Sequence, residues 1–401
     1  MTELVETPYG VMSNDRRLIS LSDLCASNGG IQTGPFGSQL HQADYVVDGI
    51  PIVTVEHLGD RRINGDEAPK VSSEDVARLA KYSLEEGDIV FSRVGSVDRC
   101  SLVTLNEAGW LFSGRCLRVR PKKSEVDSVY ISYFFRVVRF KDYIRAIAVG
   151  ATMPSINTEI MRSIKVPVPP LAEQRAIAGV LGALDDKIES NRRQQSTLLG
   201  ICHAAFDVAL MNGADVMKVE DMVRFRNNER KPLSAMERAG MERRYPYYGA
   251  TGVFDYVEAF LFDDVNILIG EDGSVVNDDG TPVAQMAWGK YWVNNHAHVL
   301  SGKAVSTELA YIALARSDVR PLITGAVQLK INMGNLRSLE VALPSVEVRG
   351  DVDHEIQENL ALWRAKSDES KMLVGLRDAL LPELLSGRLR VKDAESIVEN
   401  V

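Results

Sequence analysis

The chain has 401 residues, 45% of them hydrophobic and 25% charged, and carries a formal net charge of −9. At that length two or three domains are expected, each able to bury a core, with the composition of an ordinary soluble protein. The totals exclude a membrane span, because no apolar run reaches the roughly 18–20 residues one needs, and the start lacks the basic-then-apolar order of a secretory signal.

In chain order, residues 1–15 read as a loose polar start, and an ordered unit begins at 18–24. Short β-branched runs at 50–55 and 88–94, punctuated by Gly and Asp, predict strands joined by turns. Ile131, Phe134, Phe135, Val138 and Tyr143 recur at spacings of three to five and predict a helix over 129–148. Residues 164–168 form a strand stopped by Pro169-Pro170. From 171 to 211 only scattered Gly interrupts helix formation, and Ile177, Leu181, Leu184, Ile188, Leu198 and Phe206 mark an apolar stripe. Asn212-Gly213 supplies a stop. In the second half, 265–274 is a strand entering a Gly-Ser turn, as 87–96 is in the first, and a helix is expected near 308–315. Residues 346–385 repeat the long amphipathic helix, with Val352, Ile356, Leu360, Trp363, Leu373, Leu376 and Leu380, and end at Ser386-Gly387. Two such stripes are most simply buried as an antiparallel pair. The polar stretch 191–197, facing 366–371, weakens that pairing near its middle.

The halves are related. Residues 150–169 and 325–344 share eight identities in twenty positions, an offset of 175: Gly150, Ala151, Ile156, Asn157, Arg162, Ser163, Val166 and Pro169 recur as Gly325, Ala326, Ile331, Asn332, Arg337, Ser338, Val341 and Pro344. Average composition gives roughly one by chance. A period this long describes two sibling domains, each followed by a helix, and excludes a solenoid.

Catalytic patterns are missing. No Gly-x-x-x-x-Gly-Lys-Ser/Thr loop is present to bind nucleotide phosphates, and no Asn-Pro-Pro-aromatic or Asp-Pro-Pro-aromatic segment to hold a base's amino group. Cys25, Cys100, Cys116 and Cys202 lie far apart and read as reduced thiols of a cytoplasmic protein. His296-x-His298 lacks further ligands and reads as structural. Glu271-Asp272 with Asp278-Asp279 reads as a polar hairpin, since no lysine stands at the strand spacing a nuclease uses.

Recognition features are better represented. Residues 115–145 carry nine Lys/Arg against three acids and 224–244 carry seven against three, one basic zone per repeat. Residues 31–38 form a Gly-rich loop with Gln32, Thr33 and Ser38, and 245–252, with Tyr247 and Tyr248, read as its counterpart. Such loops let backbone amides approach phosphates while side chains reach base edges.

The run Val166-Pro167-Val168-Pro169-Pro170-Leu171-Ala172-Glu173-Gln174-Arg175 resembles the opening of the first conserved helix in specificity subunits of type I restriction–modification systems. Leu380-Leu381-Pro382-Glu383-Leu384-Leu385-Ser386-Gly387 looks like the close of the second, and Thr33-Gly34-Pro35-Phe36-Gly37-Ser38 and 245–252 resemble stretches of the family's target-recognition domains. The likeness spans nearly the whole chain. The second helix departs from the pattern, opening Pro344-Ser345-Val346-Glu347-Val348 without a Glu-Gln pair.

The resemblance implies an α+β chain with two similar mixed α/β target-recognition domains (1–168 and 214–344), separated by two long antiparallel helices (169–213 and 345–390), and a C-terminal tail at 391–401. It also implies a non-catalytic subunit. Each domain would read half of a split double-stranded DNA target, the helices would set the unread spacer, and two methyltransferase subunits would dock along them. S-adenosylmethionine, ATP and Mg²⁺ would sit on those partners and on motor-nuclease subunits. From residue type and loop position, DNA contacts are expected from Gln32, Thr33, Ser38, Arg93, Ser96, Arg99 and Arg115, and from Arg226, Arg230, Lys231, Tyr247, Tyr248 and Ser274. Partner contacts are expected from Leu171, Glu173, Gln174, Ile177, Leu381 and Leu385. The rivals are a coiled-coil scaffold with protein-binding ends and a self-contained methyltransferase or nuclease.

Overall fold

A computed structural model of the chain describes residues 4–27, 29–37, 39–325 and 328–399. It divides into two compact units, residues 1–188 with 372–401, and residues 189–371. The boundaries fall inside the two long helices, Leu171–Met211 and Val346–Ser386, so each unit holds part of both.

The first unit contains two four-stranded sheets. One is antiparallel, in the order Ile31–Thr33, Cys116–Val119, Ile89–Ser92, Cys100–Leu102. Its two inner strands are buried at every position, as continuous apolar runs covered on both faces are. The other runs Leu111–Phe112, Ile50–Val53, Lys70–Val71, Tyr45–Val46, with its first pair parallel. The second unit repeats this plan. Val223–Phe225, Ala297–Gly302, Asn266–Gly270 and Ala284–Ala287 form the first sheet; Val253–Val257, Tyr245–Tyr248, Lys290–Val293 and Phe262–Asp263 form the other, again with one parallel pair. Arg17–Ser20 pairs with Lys165–Val168 as Ala214–Lys218 pairs with Glu340–Pro344.

One sequence-based correspondence fails. The equivalent of Ile31–Thr33 is Val223–Phe225, while Tyr245–Tyr248 occupies the place of Ile50–Val53 beside a parallel partner. Both Gly-rich segments end strands at tight turns, and that shared chemistry made two different positions look alike.

Residues 4–13 also differ from the loose start expected. Leu4–Thr7 and Gly10–Ser13 form a hairpin, fastened because Tyr9 buries its ring 5.0 Å from that of Phe134 and donates its hydroxyl to Lys165 O at 2.5 Å. The helix expected over 129–148 is two, Ser128–Phe134 and Val138–Ile147. Val137 is extended between them, letting Phe134, Phe135 and Phe140 close one aromatic cluster. Val391–Glu399, in the stretch set apart as a tail, is a helix whose Ala394 is fully buried in the first unit.

Both long helices extend over 41 residues and end at glycines in the left-handed region, Gly213 (φ 141°) and Gly387 (φ 76°). In the first unit Ile177, Leu181, Leu184 and Ile188 share a core with Leu373, Leu380, Leu381, Leu384 and Leu385. Arg16 spans Glu173 (2.6 Å) and Leu384 O (3.4 Å) at one level, and Asp185 meets Arg377 (2.7 Å) at another, so the segments run antiparallel. In the second unit Cys202, Phe206 and Ala209 pack with Val352, Ile356 and Leu360, and Gln195 donates to Trp363 O at 3.2 Å. The polar stretch reaches the interior there: Asn191 is fully buried, its side-chain amide unpaired. Among the described residues no helix is long and apolar enough to cross a membrane.

Asp185 ties the helix segments to the first unit. It accepts from Arg377 (2.7 Å), Arg136 (2.9 Å) and the Tyr133 hydroxyl (2.7 Å). Burial pushes its pKa up, but the hydrogen bond from Arg377, the charge of Arg136 and the bond from Tyr133 outweigh that and hold it below the ordinary carboxylate value. We expect Asp185→Ala to cost about 1.5–3 kcal/mol in denaturant titration, because buried Arg136 and half-buried Arg377 lose a shared carboxylate while keeping Asp60 and Asp378. A carboxyl with a depressed folded-state pKa stabilises above its unfolded value, near 4, and loses that increment as pH falls through the folded value. Wild type should therefore lose more stability than Asp185→Asn on acidification below about pH 4; parallel acid profiles for the two proteins would refute this.

Candidate nucleic-acid interface

In the first unit two loop backbones meet without side chains between them. A Cβ at Gly34 would lie 2.2 Å from Ser113 O, and one at Gly114 would lie 2.4 Å from Pro35 O, so both positions need glycine. This approach sets Phe36 beside Arg93 and Arg115. The Arg93 guanidinium lies 5.5 Å from the Phe36 ring centre and donates to Gly114 O at 3.0 Å. Phe36 remains 54% exposed, and Arg115 is exposed. Together with Gln42, Tyr45, Thr54 and Glu56 they line a cleft of about 630 Å³. The Arg93 guanidinium is thus engaged by a carbonyl and a ring, with its charge uncompensated by these contacts. Glu56 faces the cleft with its carboxyl held below the ordinary value, foremost by the Thr54 hydroxyl and also by the charges of His57 and Arg115. The arrangement offers two cations and one aromatic ring to an anionic ligand.

The other first-unit candidates divide. Gln32 is tied inward, accepting at 2.9 Å from Arg118, a buried arginine that also holds Ser83 O. Thr33 is half-buried opposite Leu117. Ser96 is exposed on the turn after Gly95 (φ 82°). Arg99 is exposed but directs its guanidinium to Leu58 O, away from the Phe36 cleft. Ser38 lies outside the described residues.

Most second-unit candidates serve the fold. Arg226 pairs with Glu229 (2.7 Å) and Asp264 (2.5 Å) and lies over Phe262 at 4.9 Å; the hydrogen bond to Glu229, above all, raises its pKa. Arg230 is held by Glu271 (2.8 Å) and Ala297 O (2.6 Å). Tyr247 is buried, its hydroxyl accepting from Leu233 N at 2.9 Å. Tyr248 is half-buried, and burial pushes its phenol up to about 12. Lys231 and Ser274 alone are exposed. Residue type pointed to cations and phenols here, while neighbouring carboxylates and core packing absorb them.

The two units hold these positions on one backbone frame. Arg93 N donates to Arg115 O (2.8 Å), and Ile156 N to Arg93 O (2.9 Å). In the second unit Glu271 N donates to His296 O (2.8 Å), and Ile331 N to Glu271 O (3.0 Å). Glu271 thus stands where Arg93 stands and His296 where Arg115 stands. Glu271 is taken up by Arg230 and, at 3.5 Å, Lys330; His296 pairs with Asp272 at 2.6 Å. His298 is buried between Asn227 and Ile331 O, and burial lowers its pKa. The histidines therefore do not converge, and among the described residues no group of three His, Cys, Asp or Glu is placed to hold a metal.

Two features escaped the sequence reading. One is Phe36 as an exposed ring. The other is a set of second-unit rings in water, Phe254 (55% exposed), Tyr256 (42%) and Phe260 (39%), each with a cation over it: Arg238 at 5.1 Å, Arg243 at 5.6 Å and Lys290 at 4.9 Å. Aromatic alternation after Gly252 was the available signal.

The residues expected to meet a partner make contacts within the first unit. Gln174 is buried, accepting from Asp127 N (2.8 Å) and donating to Pro169 O (2.8 Å), and Glu173 holds Arg16. Leu171 is half-buried, and Ile177, Leu381 and Leu385 are core. The Pro-Pro-Leu-x-Glu-Gln signature thus fastens the helix to its own unit.

A family model described as the type I restriction modification DNA specificity domain matches residues 18–199 and again 211–361. The putative type I restriction enzyme MjaX specificity subunit of Methanocaldococcus jannaschii is 23% identical over 376 residues, covering 86% of this chain and 88% of its own length. A putative type I restriction enzyme specificity subunit of Haemophilus influenzae is 30% identical over 146 residues, 36% of this chain and 37% of its own. The crystal structure of the type I restriction–modification S subunit from M. genitalium superposes with a TM-score of 0.60 at 16% identity, covering 94% of this chain and 98% of its own, and so shares the fold.

Arg226 and Arg93 should separate in thermal or denaturant unfolding. Arg226→Ala removes two partly exposed ion pairs and a ring contact and should cost about 1–2 kcal/mol. Arg93→Ala, which gives up one hydrogen bond and a contact with an exposed ring, should cost less, about 0.5–1 kcal/mol. Equal losses would reject the assignment of one to the fold and the other to the surface.

Proposed function

The chain belongs to the type I restriction–modification DNA specificity family, and on that premise we propose that it supplies sequence recognition to a multisubunit methyltransferase and endonuclease without itself performing chemistry. Each unit reads one half of a bipartite double-stranded DNA target, and the paired helices set the number of unread base pairs between the halves. Two methyltransferase subunits carry S-adenosylmethionine, and motor-nuclease subunits carry ATP and Mg²⁺, in the cytoplasm. The observation that carries this reading is the doubling: one chain holds two matches to the specificity domain, each on the same sheet plan and each with its own core.

In the first unit the cleft of Phe36, Arg93 and Arg115 supports a contact in which the guanidiniums meet phosphate or guanine acceptors and the ring meets an apolar base or sugar edge. Sharing phosphate contact with partner subunits accommodates a chain of net charge −9.

Co-expression with the methyltransferase subunit of its own system, followed by single-molecule sequencing of modified bases, should yield one split motif. Arg93→Ala should relax or weaken one half of it, with each lost bidentate contact worth about 1–3 kcal/mol of discrimination. Equal change in both halves would count against the assignment of Arg93. Methylation by the purified chain alone would establish the self-contained enzyme in its place.

A further inference from the structure

We propose that the second unit reads its half of the DNA with the aromatic, cation-capped face around the edge strand Val253–Val257, and not with the positions equivalent to Arg93 and Arg115. This rests on the function proposed above and assigns the second reading surface within it.

The equivalent positions are unsuited to DNA. Glu271 replaces Arg93 on the same pair of backbone hydrogen bonds, and its carboxylate is occupied by Arg230 and Lys330. His296, in the place of Arg115, is turned to Asp272. Arg226 is neutralised twice over. A phosphate brought here would meet Glu271 and Asp272 with no uncommitted guanidinium to receive it, and like charges at that range repel.

The edge strand offers what those positions lack. Phe254 and Tyr256 remain 55% and 42% exposed in a unit that fully buries Tyr247, Phe262 and Tyr291. They belong to one connected patch: Arg238 lies 5.1 Å from the Phe254 ring and 2.7 Å from Asp255, which is 3.4 Å from Arg243, itself 5.6 Å from the Tyr256 ring. Asp255 offsets one of the two arginines, so the patch keeps a net positive charge, and the Arg243 side chain is 69% exposed. Val253–Val257 is the outermost strand of its sheet, paired antiparallel with Tyr245–Tyr248 through the turn at 249–252. The two outer strands of this four-stranded sheet can meet a groove as β-sheet readers of DNA do, where an arginine can reach phosphate or guanine and aromatic rings can meet thymine methyl groups. Charge complementarity selects DNA as the occupant: Arg238 and Arg243 share the single carboxylate of Asp255, and an apolar protein partner would bury the charge that Asp255 does not offset.

The test uses the chain co-expressed with its methyltransferase subunits, with Phe254→Ala/Tyr256→Ala and Arg243→Ala as separate variants. Modified-base sequencing, co-elution of the subunits and thermal melting are read for each. The aromatic double variant should assemble and melt as wild type, mark cognate sites about tenfold less, and lose selectivity in the half-site that Arg93→Ala leaves intact. Arg243→Ala, at an exposed position that leaves the core untouched, should read the same bases more weakly and lower the slope of log affinity against log salt by about 1. The proposal is overturned if Arg243→Ala binds with unchanged affinity and slope, if both half-sites keep full selectivity, if the half-site shared with Arg93→Ala is the one relaxed, or if the subunits no longer co-elute, which would make the patch a protein contact. A wild-type complex that marks no split sequence would remove the underlying function itself, and is distinguishable because no variant is needed to see it.

Discussion

The apolar stripe of each long helix is divided between two cores, and the rest of the molecule is arranged around that division. Ile177 to Ile188 face Leu373 to Leu385 in the first unit, while Cys202 to Ala209 face Val352 to Leu360 in the second. Five leucines from beyond residue 371 are buried in the first core. At about 1.5–3 kcal/mol each they contribute on the order of 8–15 kcal/mol as an upper bound, comparable with the entire stability of a typical domain. The first unit therefore depends on the return of the far end of the chain, and Asp185, gripping Arg377, Arg136 and Tyr133, is where that return is made specific.

Within this scaffold the two units keep a common backbone and change its surface chemistry. The hydrogen bonds that hold Arg93 hold Glu271 just as well, since they involve only main-chain atoms. Ladder geometry constrains backbone groups and leaves outward side chains free to vary. A reader can thus change polarity at an equivalent point without disturbing the sheet beneath it, while the display of rings and cations moves to another edge.

What was legible in advance followed from periodicity. The long helices, their stops at Gly213 and Gly387, their antiparallel pairing and the doubled plan all come from apolar spacing and repeated residues, which packing preserves. The hairpin at 4–13 was hidden because its anchor is the single ring of Tyr9, packed on Phe134 far along the chain. The break at Val137 was hidden because Phe134, Phe135 and Phe140 suit one helix or two. Among surface residues, Arg115, Ser96, Lys231 and Ser274 proved exposed, whereas Arg226, Arg230, Gln32 and Tyr247 are consumed by partners distant in sequence: Asp264, Glu271, Arg118 and Leu233. A charge or a phenol is visible in a sequence; the group that neutralises or buries it is not. Glu173 and Gln174 carry the same lesson, since their motif marks how a helix is moored.

Because residues 372–401 complete the first unit, the order in which the chain leaves the ribosome is not the order in which its cores close. The second unit has all of its residues once position 371 has emerged, while the first, synthesised earlier, still lacks the leucines and Arg377 that seal it. Domains that close as they emerge usually do so from the N-terminus. Here the earlier-made half must wait, with Ile177, Leu181 and Leu184 incompletely covered, until the segment beyond residue 371 has been made, and a ribosome that stops at that point releases a chain whose second unit is whole and whose first is open.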